Sequence, residues 1–148
     1  MSQRPRYIFR FEPGNRFSLA ALFGALEVAG IIGKVDLCVT KTGKEAGRAL
    51  AGGGVLFHSL VSTEAARWGA ELAQLRRAIG RPFLAVAGGP HATGDTESAF
   101  ALGYDVVFTG RAERSFIRFT EDLIDGVVPS KGAVVPELPD PLWEETLY

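Results

Sequence analysis

The chain has 148 residues, 47% hydrophobic and 22% charged, with 16 Lys and Arg against 17 Asp and Glu for a formal charge of −1. That size and balance suit one domain with a single buried core, and they exclude a disordered chain, which carries fewer apolar residues and more net charge. Near-neutrality argues against nucleic acid as the main partner, and no uncharged apolar run approaches the roughly 20 residues a membrane helix needs.

The segment Arg6-Tyr7-Ile8-Phe9-Arg10-Phe11 follows a polar start that holds no apolar leader, and its aromatic and β-branched residues predict a first strand. After Glu12-Pro13-Gly14-Asn15, Ser18 can cap a helix carried by Leu19, Leu22, Phe23, Leu26 and Ala29 and ended by Gly30. A second strand is predicted over 35–40 and a short helix over 43–51. The run Val55-Leu56-Phe57-His58-Ser59-Leu60-Val61 is nearly continuous in its apolar character, as a strand buried on both faces is. Ala65, Trp68, Leu72, Leu75 and Ile79 then recur at helical spacing, with Gly80 at the stop and Pro82 beyond. Strands follow at 83–87 and 105–109, joined by a short helix over 96–102. A last helix from 113 to 124 carries Phe116, Phe119 and Leu123 on one face.

Strand and helix alternate throughout, which predicts an α/β domain: a five-stranded parallel sheet with helices on both faces, three layers deep. Right-handed crossovers leave the flavodoxin-like order 2-1-3-4-5 as the commonest solution, with Val55–Val61 near the centre and residues 35–40 towards an edge. Residues 1–126 make up this domain. Residues 127–148 hold four of the eight prolines beside Leu142, Trp143 and Leu147, and read as a linker or an arm packed on something else.

In such a sheet ligands bind outside the carboxyl ends of the strands. Gly52-Gly53-Gly54 enters a strand, lies at the opposite edge and reads as a tight turn. Gly88-Gly89-Pro90-His91-Ala92-Thr93-Gly94-Asp95 leaves the fourth strand on the ligand side. It reads either as a close backbone approach to a ligand or as a strand-to-helix turn with Asp95 as N-cap. His58, mid-strand, reads as a core residue, and His91 stands on the ligand side. No Gly-x-Gly-x-x-Gly follows the first strand, and Gly43-Lys44-Glu45 is no phosphate loop. The phospho-acceptor Asp of a receiver domain is replaced by Ser59 and Ser62 at the end of the third strand. The single Cys38 excludes a disulfide, a Cys-based zinc site or an iron–sulfur cluster within this chain alone. No triad, paired-carboxylate site or metal site is evident, so the site reads as a binding site with no catalytic residue.

Over residues 6–125 these loops resemble the Rossmann-like cobalamin-binding domain at the N-terminus of many radical-SAM proteins. His58-Ser59-Leu60-Val61-Ser62-Thr63 is similar to that family's small-hydroxyl segment, and Gly88-Gly89-Pro90-His91-Ala92-Thr93 resembles its Gly-Gly-x-His-Pro/Ala-Thr loop. Gly103 to Gly110 resembles the Gly-x-Asp-x-Val-Val strand before a Gly-Glu-Gly-Glu turn, of which Gly110 and Glu113 remain. The cobalt-ligating Asp-x-His-x-x-Gly motif is absent after the first strand, as is the Cys-x-x-x-Cys-x-x-Cys cluster motif.

The resemblance implies a cobalamin-binding module for a radical-SAM domain in cis or in trans. By itself it would be non-catalytic. Its parent would be an enzyme, a methyltransferase among the options, whose further domain holds the 4Fe-4S cluster and S-adenosylmethionine. The corrinoid would contact Asn15, Arg16, Ser59, Ser62, Thr63, Gly88, Gly89, Pro90, His91, Thr93, Gly110 and Glu113, with no metal ligand assigned: no histidine of the loop after the first strand reaches cobalt, and a hydroxyl or water could. The alternative is a structural or interaction domain that keeps the fold and has lost the cofactor. Either reading places the protein in the cytoplasm, with no nucleic-acid or membrane partner.

Overall fold

The structure, a computed structural model, describes residues 4–139. Its strands are β1 (Arg6–Arg10), β2 (Asp36–Thr40), β3 (Val55–Ser59), β4 (Leu84–Gly88), β5 (Val106–Phe108) and β6 (Ala133–Val135). Its helices are α1 (Arg16–Val28), α2 (Gly43–Leu50), α3 (Ala65–Ala78), α4 (Pro90–Gly94), α5 (Thr96–Ala101) and α6 (Glu113–Ile124). The strands are all parallel in the order β2-β1-β3-β4-β5-β6. The predicted three-layer architecture and the order of the first five strands hold. β3 is interior and β2 lies at an edge.

Period-two alternation divides the core between the two faces of the sheet. Ile8, Leu56, Ala85, Ala87 and Val107 meet Leu50 of α2, Trp68, Leu72 and Leu75 of α3 and Ala99 of α5. Tyr7, Phe9, Phe57, Val86, Val106 and Phe108 meet Leu19 and Leu26 of α1 and Phe116 and Phe119 of α6. This second face is an aromatic stack. Phe9 lies 4.7 Å from Phe57 at 13° between planes, and Phe116 meets Phe57 edge-on at 5.7 Å. Each such ring contributes roughly 1.5–3 kcal/mol by burial alone. The Tyr7 hydroxyl, buried with them, hydrogen-bonds Thr120 at 2.8 Å.

Three expectations are corrected. The sheet has six strands, because Ala133–Val135 of the segment read as a linker pairs with β5 in the register Val106↔Ala133, Val107↔Val134, Phe108↔Val135. A short helix, α4, occupies the glycine–histidine loop ahead of α5. The first long helix begins at Arg16 rather than being capped by Ser18. Asn15 closes the preceding turn, accepting from Glu12 N at 2.9 Å and donating to Arg10 O at 2.8 Å. Leu142, Trp143 and Leu147 lie outside the described residues.

The β5–α6–β6 connection is unusual. Helices α2, α3 and α5 cover one face on steps that all lead towards β5, whereas α6 takes the next outward step over the face of α1. Its hand is therefore opposite to that of the other crossovers, which is rare among parallel connections. The aromatic cluster accounts for it, since Phe116 and Phe119 are buried on that face, against Tyr7, Phe9, Phe57 and Phe108.

Candidate functional site

The topological switch lies between β1 and β3, and a crevice opens there at the carboxyl ends of the strands, between α1 and the start of α6. Its volume is about 210 Å³. Phe9, Phe57, Phe108 and Phe116 form the floor, and Asn15, Ser18, Ser59, Arg111 and Glu113 bring polar groups to its walls. Phe57 and Ser59 share one sheet face, as do Val86 and Gly88, and Ser59 stands opposite Gly88 in register. The strand ends thus present a hydroxyl and a missing side chain side by side, above the aromatic floor.

The two glycines of the loop have different reasons to be glycine. A Cβ at Gly88 would meet nothing nearer than Phe108 Cβ at 3.8 Å, so the space beside it is open. Gly89 is required by the fold. Its φ is +95°, and a Cβ there would lie 2.8 Å from Leu60 O and 2.9 Å from Leu60 N.

The loops around the crevice are tied to one another. His91 joins Ser62 at 3.0 Å through Nδ1 and Ser98 at 2.9 Å through Nε2, linking the β3–α3 loop to α5. Thr93 Oγ1 donates to Gly89 O and accepts from Gly110 N, both at 3.0 Å, which holds the β4 and β5 loops together. Asp95 accepts from Ser98 N at 3.0 Å as the predicted N-cap. Asp105, of the Gly-x-Asp-x-Val-Val segment, accepts from Ala85 N and pairs with Arg76, both at 2.8 Å, and so fixes β5 against β4 and α3.

Of the residues singled out from sequence, Asn15, Ser59, Gly88, Gly89, Gly110 and Glu113 line the crevice. Ser62, His91 and Thr93 brace its loops, and Pro90 opens α4. Thr63 is exposed beside them. The Arg16 guanidinium stacks on exposed Phe17 with 4.8 Å to the ring centroid. The sequence reading missed the aromatic floor, Ser18 and Arg111. The floor was legible only as core, and Arg111 was visible only as a departure from Gly-Glu-Gly-Glu. Among the described residues no three His, Cys, Asp or Glu side chains cluster as metal ligands.

On the other face of the same strand ends lies a buried charged cluster. Arg10, 5% exposed, donates from Nε and Nη2 to both carboxylate oxygens of Glu71 at 2.9–3.1 Å. His58 Nε2 is 2.9 Å from Glu71 Oε2 without a well-aligned hydrogen bond, and its Nδ1 shares a hydrogen bond with the Tyr104 hydroxyl. Trp68 is held between the guanidiniums of Arg10 and Arg67, at 5.0 and 4.4 Å. Burial pushes the His58 pKa down and the Tyr104 pKa up, so the imidazole is neutral at pH 7. Burial alone would raise that of Glu71, but the contacts with His58 and Arg10 outweigh it and hold the carboxyl at about 2. His58 is a core residue, as predicted, within a polar network the sequence did not reveal. Arg67 extends the network to the crevice rim by a two-pronged hold on Glu12, at 2.9 Å on each oxygen.

Fold and crevice together define an open parallel α/β domain with a cleft at its switch point. In structure the chain is similar to the N-terminal domain of a hypothetical protein from Thermotoga maritima, with TM-score 0.59 and 23% identity over 80% of this chain and 88% of that one. It is also similar to a protein described as pilus assembly-related from Burkholderia pseudomallei, with TM-score 0.54 and 12% identity over 88% and 97%. At these identities the likeness shows the fold alone. No family model matches the sequence, and no curated protein matches it.

Proposed function

We infer that the crevice takes the nucleotide tail of a cobalamin, and that this domain is the corrinoid-carrying module of a radical-SAM protein. The observation that supports this most is Gly88. It leaves open space on an aromatic floor, beside the Ser59 hydroxyl, where any larger residue would fill the cleft. A cleft of about 210 Å³ suits a flat heteroaromatic base and not a corrin ring, which would rest on the strand ends above it. Phe9, Phe57 and Phe116 would exclude water from the base, Ser59 would donate a hydrogen bond, and Arg111 would face an anionic group of the tail. The donor set fits the tail and offers no cobalt ligand from the β1–α1 loop or the glycine–histidine loop. The Asn15 amide is bound to Arg10 O and Glu12 N, and both His91 nitrogens are engaged by serines. When bound, the corrinoid supplies methyl-transfer or one-electron chemistry at cobalt, and the protein's part is to hold and orient it.

A second reading, an interaction domain without cofactor, draws support from the same loops. Ser62, His91 and Thr93 bind one another's elements and are not free for a ligand. Titrating hydroxocobalamin into wild type and Gly88→Leu, followed by absorbance, separates the two. The cofactor reading expects uptake by wild type and at least tenfold weaker uptake by the variant, with unchanged thermal stability. Equal uptake, or none by either protein, overturns it in favour of the interaction domain.

A further inference from the structure

The two edges of the sheet differ. β6 is flanked by Lys131 and Pro136, and charge and proline are the means by which proteins commonly blunt an open edge. The β2 edge has neither among Leu37, Cys38, Val39 and Thr40, and it leaves Val39 47% exposed. Among the described residues no strand pairs with β2 on its outer side.

The backbone groups of that edge can be counted. Asp36 N donates to Pro5 O at 2.8 Å and Thr40 O accepts from Phe11 N at 2.7 Å, so the groups of Asp36, Cys38 and Thr40 turn towards β1. Those of Leu37 and Val39 therefore point outwards, as two donors and two acceptors with no strand to meet. The row is closed on both sides. Val35 N is bound to Ile32 O at 3.3 Å, and Lys41 N to Glu45 Oε2 at 2.7 Å.

This row complements itself. In a two-fold antiparallel pairing centred on Cys38, Leu37 of each copy exchanges both hydrogen bonds with Val39 of the other, and no outward group of these two residues is left idle. Moving the centre to residue 37 strands the Val39 carbonyl, and moving it to residue 39 strands that of Leu37. The side chains agree. Leu37 packs on the α1 face and Val39, two positions on, shares that face, so exposed Val39 gains Leu37 of the other copy as its cross-strand neighbour. No like charges meet, and Asp36 of one copy comes within one position of Lys41 of the other.

We propose that two copies of this chain associate through β2, joining their sheets into one of twelve strands, six from each. The contact is isologous, the same surface on both copies. Because the joined strands run antiparallel, the two crevices open at opposite ends of the common sheet.

The single Cys38 reports the register. In the centred pairing the two Cys38 residues face each other as a non-hydrogen-bonded pair, with Cα atoms about 4.5 Å apart, inside the range a disulfide spans. Sedimentation velocity on the full chain, under reducing conditions and at rising concentration, should show a reversible dimer. Copper(II)-phenanthroline should then take two electrons from the two thiols, with loss of two protons, and link the copies through Cys38. Val39→Pro removes only an outward donor and should weaken dimerisation roughly tenfold or more, since two hydrogen bonds are lost across the two-fold. Val39→Lys, at the same exposed position, should act in the same direction with an unchanged circular dichroism spectrum, and cross-linking should fall in step in both variants. A wild type that stays monomeric at every concentration overturns the proposal. So does equal cross-linking of wild type and both variants, which is random collision. A dimer whose Cys38 thiols do not link overturns it too, since the contact then lies on another face or in another register.

Discussion

Replacing Glu71 by Gln tests the buried cluster under the strand ends. The change keeps the shape and removes the charge, leaving the Arg10 guanidinium, 5% exposed, without a counter-ion. Removing one partner of a fully buried pair costs about 3–5 kcal/mol. Glu71 keeps 18% exposure, so water offsets part of this, and a loss of about 3 kcal/mol is expected at pH 7. With a urea dependence of about 2 kcal/mol per molar, the unfolding midpoint should fall by about 1.5 M. The pH dependence gives a second reading of the same contact. Glu71 has its carboxyl held at about 2, below its ordinary value of 4.5. Its stabilisation is therefore complete above about pH 4.5 and is lost as pH falls towards 2, so the gap between wild type and variant should close across that window. His58, pushed below 6.5 by burial, also takes up its proton more readily in the unfolded chain, so wild type should begin to weaken as pH drops below 6.5. A midpoint shift under 0.5 M at pH 7 (about 1 kcal/mol at that slope), or a gap that stays open at pH 2.5, would refute the argument.

Two further substitutions separate structural from ligand-facing residues. Gly89→Ala should cost roughly 1–3 kcal/mol in urea unfolding from its positive φ and the clash with Leu60, with no cofactor present; stability equal to wild type would contradict the close approach. Asp105→Asn should cost about 1–3 kcal/mol by removing the charge that Arg76 meets and disturbing the acceptor of Ala85 N, and a change confined to corrinoid uptake would instead make Asp105 a ligand contact.

The β/α alternation, the strand order from β1 to β5 and the position of the crevice were legible because each follows from apolar period and from connection rules that hold locally. β6 was not. Ala133-Val134-Val135 is three residues between Gly132 and Pro136, too short for a pattern, and it becomes a strand only because β5 offers an open edge. The Gly88-Gly89 pair was legible as special, but sequence cannot tell a glycine that opens a cleft from one that a turn demands. His91 shows the same limit, since whether its nitrogens are available depends on Ser62, 29 positions away, and on Ser98. Glu71 looked like one polar residue on an amphipathic helix. Its role is set by Arg10, 61 positions earlier, and nothing local to α3 signals that meeting.

The rare hand of the last crossover also bears on the order in which the domain can come apart. The fully buried members of the aromatic face all precede Ile124, and β6 adds to it only the half-buried Ala133 and Val135. β6 then adds three residues at an outer edge, none of them fully buried and with Val134 left 47% exposed. It is a low-cost opening unit, free to exchange its amides while the rest of the sheet stays protected. Its detachment would move the exit of the chain from the crevice rim to the far end of α6. A peripheral strand of three residues thus governs on which side of the domain whatever follows is presented.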